Sequence, residues 1–367
     1  MSAFNKQLLD VSVRTQVYIE DVKLWQFAKF EPVAREIAEN FKRVVRTAKY
    51  EELDRLTKTE LVRLIAKLRV SQGLIYSKYY ESILSDLKEF MSASLYVNQL
   101  TYSSLFYANK NKKKVEPLSK KKAIDISIEE AKNKVNDALQ VSVSAATDDE
   151  SKLWAAITNE PLPVNGVYLL PFLKTFVSNS QAALENLVRK AWANKWTASQ
   201  LIAQATADNP QETPQGNSSE VKKISLAEKG IIATIMQHIA QRVMAGVASM
   251  LFNAYRWVSV IDGKTSDICI GLNLTKWQFG RGPLPPAHIR CRSHITPIAD
   301  NGDIPDETFY TWIRRQSQTF QDDVLGAANA RALREGRIAA SEISKYEANN
   351  LLSFEGFKNK VDTILLV

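Results

Sequence analysis

The first hundred residues carry apolar side chains at helical spacing almost without interruption, and this feature constrains the fold most. Residues 8–48 are predicted to be an amphipathic helix whose apolar face is formed by Val17, Leu24, Phe27, Val33, Ile37 and Phe41. Pro32 lies inside the pattern and predicts a division into two helices, because proline removes a hydrogen bond from a helix interior. Residues 1–105 are therefore predicted to form an N-terminal helical domain, as a hairpin or bundle.

A further helix of this domain is predicted to begin at a capping box. Thr57 and Glu60 have the spacing at which each side chain accepts a hydrogen bond from the other residue's backbone amide. Apolar residues follow at helical spacing, first Leu61, Leu64, Ile65 and Leu68 and then an aromatic-rich run over 76–91. We assign these aromatic side chains to the core, because they fall on the buried face of the helix and not in a basic groove.

Residues 106–150 change character and are predicted to be a lysine-rich arm and linker. Seven lysines lie within residues 110–122. Lysines so close together repel one another and resist packing, which favours an exposed segment. Two functions are open for it: non-specific contact with DNA phosphates, or a solvated loop with no partner. The candidate DNA-contacting residues are Lys110, Lys112, Lys113, Lys114, Lys120, Lys121 and Lys122.

The rest of the chain is predicted to contain a second helical unit, a linker and a C-terminal domain. Helical periodicity covers 151–206, and the polar stretch at 207–220, with two prolines and a glycine, is predicted to be a linker. The domain at 221–367 begins with a long apolar helix at 225–254. Short β-like runs near 257–261, 277–279 and 292–298 predict a small α+β module beside that helix. The predicted fold class is mostly α, with N-terminal helical hairpins or a bundle and this one small C-terminal module.

Beyond residue 300 the pattern is again helical. Helices are predicted at 306–320, 322–335 and 340–352. The apolar tail at 362–367 has two open destinations, the core of the protein or the surface of a partner.

The predicted module contains both cysteines of the chain and two of its three histidines. Cys269, His288, Cys291 and His294 are all metal-competent, and the spacing His-x2-Cys-x2-His with an upstream cysteine allows a tetrahedral zinc site. A nucleophilic cysteine activated by His288 is a second interpretation. The third is a compact hairpin with two buried thiols and two structural histidines. No acid/base pair, phosphate loop or nucleophile elbow accompanies the cluster, so we assign no catalytic residue and predict no enzymatic activity.

The same region resembles the phage head morphogenesis family, the Mu F-like minor head proteins. The resemblance lies in Trp257-Val-Ser-Val-Ile-Asp262, Lys264-Thr265-Ser266, Cys269 and Pro285-Pro286-x-His288-x-x-Cys291-Arg292-Ser293. The structural motif residues are Trp257, Asp262, Thr265, Ser266, Pro285, Pro286 and Arg292. Leu274 departs from the family, where a turn glycine is common, and His294 stands where threonine or serine is common.

The resemblance implies a structural minor head protein of a tailed phage, present in few copies inside the head near the portal. Its implied partners are the portal protein, the major capsid protein and packaged double-stranded DNA, with the host cytoplasm as the site of assembly. Two alternatives stay open: a DNA-binding protein ejected with the genome, and a Cys/His-dependent enzyme or metalloprotein. Arg292 is predicted to pair internally with Asp262 or Asp267, although contact with DNA phosphate is also open.

Charge and composition are consistent with polyanionic partners and a reducing compartment. The formal net charge is +8, and two cysteines are too few for a disulfide framework in 367 residues. The N-terminal residues lack the pattern of a signal peptide. We also expect no membrane span, because Gln237, His238, Gln241 and Arg242 interrupt the most apolar stretch.

Overall fold

The computed structural model describes residues 3–112, 145–260, 265–299, 307, 309–338 and 351–365. Outside these residues lie Asp262, Lys113, Lys114, Lys120, Lys121 and Lys122, and the predicted helix at 340–352 falls almost entirely outside them. The described residues are mostly helical, with one small sheet near the C-terminal side. The predicted fold class is thereby confirmed.

Two helices make up most of the first 112 residues, α1 (Ala3–Val45) and α2 (Lys58–Lys112). The prediction that Pro32 divides the first helix is wrong, because α1 continues through it. Pro32 lies on the exposed side of α1, where water can satisfy the carbonyl that loses its amide partner, while Phe30 and Ile37 are buried on either side. The capping box is confirmed: the Thr57 amide donates to Glu60 Oε2 at 2.9 Å, and the Glu60 amide donates to Thr57 Oγ1 at 3.2 Å.

The helices before the sheet are α3 (Ala145–Thr158), α4 (Leu169–Ala193), α5 (Ala198–Thr206) and α6 (Glu220–Ser249). Strand β1 (Ala254–Val258), helix α7 (Asp267–Leu272), strand β2 (Lys276–Gln278) and strand β3 (His294–Ile298) come next. The chain ends with α8 (Phe309–Arg314), α9 (Gln318–Leu325), α10 (Ala327–Arg334), α11 (Phe354–Lys358) and α12 (Val361–Leu365).

These elements form two compact units, each assembled from separate stretches of chain. The first contains Met1–Trp25, Lys88–Tyr168 and Ala233–Val367, and the second contains Gln26–Leu87 and Leu169–Ile232. The predicted divisions were contiguous, whereas α1, α2 and α6 each contribute residues to both units.

The second unit has an aromatic core, in which the Phe30 and Tyr79 rings lie 5.0 Å apart and both contact Phe176. The stretch predicted to be a linker lies inside this unit as a hydrogen-bonded loop. Thr213 is 6% exposed, and its hydroxyl lies 2.7 Å from the Pro210 carbonyl and 2.8 Å from the Asn217 carbonyl, either of which can accept its hydrogen. The sequence pattern did not reveal that short polar side chains would hydrogen-bond to carbonyls within the same loop.

The first unit contains the sheet, whose strands are antiparallel in the order β2-β1-β3. Tyr255 pairs with Trp277 on one side and with Pro297 on the other, so β1 is the central strand. Trp257 of β1 is fully buried. The tail also belongs to this unit: Ile364 and Leu365 are buried in the chain's own core, which decides between the two destinations predicted for it.

Within the described residues, α6 is the one helix long and apolar enough to cross a membrane. Its most apolar window is 78% buried inside the protein. A buried core helix has the same length and composition, so these properties are weak evidence for a membrane span.

Candidate metal centre

Cys269 is positioned by the short helix α7. Ser266 caps this helix, and its hydroxyl accepts a hydrogen bond from the Cys269 amide at 3.4 Å. The cap orients the first turn of α7 so that the Cys269 side chain points inward, where it is 1% exposed. Thr265, the preceding motif residue, donates from its hydroxyl to the Val260 carbonyl.

His288 and Cys291 are positioned by the loop between β2 and β3. Pro285 and Pro286 are buried in this loop, and the Cys291 amide donates to the His288 carbonyl at 3.1 Å, which closes a tight turn. The Arg290 amide donates to Thr234 Oγ1 of α6 at 3.0 Å. The turn is thus attached to the long helix, and its two functional side chains face Cys269.

Three of the four predicted metal-competent residues come together. One ligand atom each from Cys269, His288 and Cys291 lie within 4.8 Å of one another, and the two Sγ atoms are 3.7 Å apart. His288 Nδ1 is 2.9 Å from the Ile289 carbonyl oxygen. A carbonyl oxygen only accepts, so Nδ1 donates and the lone pair of the neutral ring is on Nε2. Metal-binding histidines have this arrangement, and the group can hold a metal ion.

The electrostatics of the group favour a thiolate at Cys291. The hydrogen bond between the thiols raises the pKa of Cys269 and lowers the pKa of Cys291, and a hydrogen bond from the protonated His288 ring lowers the pKa of Cys291 further. The same contact with Cys291 raises the pKa of His288. A thiolate is the form of cysteine that binds metal. It is also the nucleophilic form, but Cys291 is 0% exposed, which does not favour attack on a substrate.

A buried polar network connects the centre to the sheet. Ser259 Oγ accepts a hydrogen bond from Trp257 Nε1 at 2.9 Å, donates to the Cys269 carbonyl at 2.8 Å and lies 3.1 Å from Ser293 Oγ. Trp257, Cys269 and Cys291 form one buried cluster around it. The sequence motif contains Ser259 and Ser293, but sequence reasoning assigned them no role, because a serine beside a strand gives no sign of what it binds.

No known protein family, curated protein or solved structure matches this chain. The resemblance of its motif to the phage family therefore remains a hypothesis supported by the residues themselves. One departure has a structural counterpart: Leu274, where the family often has glycine, has a φ of 61°. Glycine adopts this left-handed conformation without strain.

His294 does not join the metal-competent group, so the predicted four-ligand set is reduced to three. It pairs with Val258 in the sheet and lines a cavity with Phe309 and Trp312. Burial lowers the pKa of His294 to about 3, and neither ring nitrogen has a hydrogen-bond partner in the part of the chain that the structure describes. Only two residues separate His294 from Cys291, but His294 begins β3, and the strand directs its side chain away from the group.

The remaining candidate residues are placed as follows. Arg292 lines the same cavity as His294, together with Glu20 and Glu307, and its predicted partner Asp262 lies outside the described residues. Lys110 is exposed in the last turns of α2. Lys112 ends that helix. His238 of α6, the third histidine of the chain, is fully buried, and its Nε2 lies 3.4 Å from the Ile157 carbonyl oxygen.

Proposed function

We propose that the chain is a structural minor head protein of a tailed phage, associated with the portal and in contact with packaged DNA. The observation that supports this best is that four motif residues spread over 36 positions, Trp257, Cys269, Cys291 and Ser293, pack into one buried cluster around Ser259. Contacts among these motif residues keep the module rigid, and a structural role in assembly requires such rigidity. The fully buried Cys291 and the absence of an accompanying acid/base pair in the sequence motif support an assembly role over turnover.

The proposal includes a zinc ion at the centre. Two sulfurs bound tetrahedrally to one zinc at about 2.3 Å are about 3.8 Å apart. The Sγ atoms of Cys269 and Cys291 are 3.7 Å apart, and two thiols with an imidazole are donors that zinc prefers. Zinc would join α7 to the loop that carries His288, with the fourth position taken by water or by a residue of a partner.

Metal analysis of the full chain, purified without chelator, tests the zinc. We expect about one zinc per chain, and a strong reduction in the Cys291→Ser variant. His294→Gln is the matched control, because His294 lies outside the group and its replacement leaves the metal content unchanged. Wild-type protein with well under one metal ion per chain would contradict the proposed zinc site, and the two thiols would then form a metal-free cluster.

Particle composition tests the minor head assignment. Procapsids and mature heads of the phage that encodes the chain would be purified and quantified by mass spectrometry. We expect the chain in both, at a few copies per portal ring, and we expect cryo-electron microscopy to place it at the portal vertex inside the head. Heads that contain portal and capsid proteins but lack this chain would contradict the proposal.

A further inference from the structure

The outer face of α2 in the second unit carries apolar side chains where a surface helix normally carries polar ones. Val62, Ala66, Val70 and Leu74 recur every four residues and are exposed, so they form one stripe along the helix. Val62 is 64% exposed, Val70 70% and Leu74 65%. The opposite face packs into the core through Leu64, Leu68 and Ile75. The stripe is therefore an apolar surface additional to the one that α2 uses for folding.

Two opposite charges lie at equal distances on either side of Val70 and Leu74 along α2. Arg63 and Glu81 are both exposed and are separated by 18 residues of helix, which is five turns, so they lie on the same side of α2. Neither has an ion-pair partner among the residues that the structure describes. The midpoint of Arg63 and Glu81 is position 72, and the midpoint of Val70 and Leu74 is also position 72.

A common midpoint is the signature of a surface that is complementary to itself. When two identical helices pack antiparallel about a twofold axis, each residue faces the one at the mirrored position. About position 72, Val70 faces Leu74 of the second copy, and Arg63 faces Glu81. The neighbouring Lys67 then faces Ser77, and Lys78 faces Ala66.

From this arrangement we propose that α2 is a self-association surface, on which a second copy of the chain packs antiparallel about position 72. Val70 and Leu74 of the two copies supply the burial, and two symmetry-related Arg63–Glu81 pairs set the register. This inference does not depend on the proposed role in the phage head, and it holds for any role of the chain.

Analytical ultracentrifugation of the full chain over a concentration series tests the surface. We expect a monomer–dimer equilibrium that Val70→Asp weakens at least about tenfold, because a charge then lies at the centre of the apolar contact. Met250→Asp is the matched control, since Met250 is 72% exposed but lies far along the chain from α2. All substituted positions are exposed, and circular dichroism confirms that each variant is folded.

The register is tested by charge exchange and by cross-linking. Arg63→Glu is expected to weaken the dimer, and Arg63→Glu combined with Glu81→Arg to restore it. With a short bismaleimide reagent, which spans more than a disulfide can, Val70→Cys should cross-link between copies, because two such positions would be roughly 6 Å apart along the helix axis. Val62→Cys, roughly 30 Å from its counterpart, should not cross-link. A monomer at all concentrations, a dimer insensitive to Val70→Asp, or a charge exchange without recovery would each overturn the proposal.

Discussion

Removal of one oxygen atom at Ser259 is the most direct test of the buried network around the metal-competent group. Ser259→Ala leaves Trp257 Nε1 and the Cys269 carbonyl without the partners that lie 2.9 Å and 2.8 Å away. Each buried polar group left unpaired costs about 1–3 kcal/mol, so the free energy of unfolding should fall by about 2–6 kcal/mol in total.

The assay is denaturant unfolding of the full chain in the presence of a chelator, so that metal binding does not contribute. Hydrogen exchange of the β1 amides, followed by mass spectrometry, reports the same loss locally. The matched control is Ser249→Ala, because Ser249 is an exposed serine whose hydroxyl donates to the Gly246 carbonyl. We expect that control to change stability by less than about 0.5 kcal/mol.

A double-mutant cycle with Trp257→Phe separates the network from general packing. If the indole N–H and the serine hydroxyl stabilise each other, the double variant should lose about 1 kcal/mol less unfolding free energy than the sum of the losses in the two single variants. A Ser259→Ala variant as stable as the control, or fully additive losses, would refute the view that this network holds the motif together.

Three further predictions concern packing, pH and charge. Gly282→Ala should destabilise the protein by about 1–3 kcal/mol in thermal unfolding, since a Cβ there would lie 2.4 Å from Tyr255 Oη. Gly271→Ala should leave the stability unchanged, since a Cβ there would have no other atom within 4 Å. Burial raises the pKa of Glu228 to about 8, so its contribution to stability is present below about pH 4 and is lost as the pH rises through 8. Wild-type protein should therefore lose stability from pH 5 to pH 8 in urea melts relative to Glu228→Gln, and parallel curves would contradict this. Serine substitutions in the lysine-rich arm should weaken DNA binding and flatten its salt dependence in fluorescence anisotropy. The substituted residues are Lys112, Lys113, Lys114, Lys120, Lys121 and Lys122. Unchanged binding would show that these lysines only solubilise the chain.

Sequence patterns were most informative where one local interaction decides the structure. The capping box at Thr57 and Glu60 is a contact between residues three apart, and the structure contains both of its hydrogen bonds. The three short strands also follow from β-branched and aromatic runs near turns. Pro32 was misjudged because its local cost is opposed by the packing of distant residues, which the helix pattern alone does not reveal.

The candidate site was predictable in composition but not in geometry. The rarity of cysteine and histidine directed attention to four residues, of which Cys269, His288 and Cys291 meet. His294 could not be separated from them by spacing, because the start of β3 decides which way its side chain points. Ser259 and Ser293 were missed for a related reason: their function arises only when β1, α7 and β3 come together.

The contact between α1 and α12 affects how the chain is synthesised. Arg14 donates to the Thr363 carbonyl, a residue 349 positions later, and Ile364 beside it is fully buried. During translation α1 leaves the ribosome long before α12 is synthesised, so the part of its apolar face that contacts α12 stays uncovered for most of translation. A stop codon shortly before Val361 would leave that face uncovered permanently, and the truncated product would be a substrate for chaperones and proteases even though every motif residue is present.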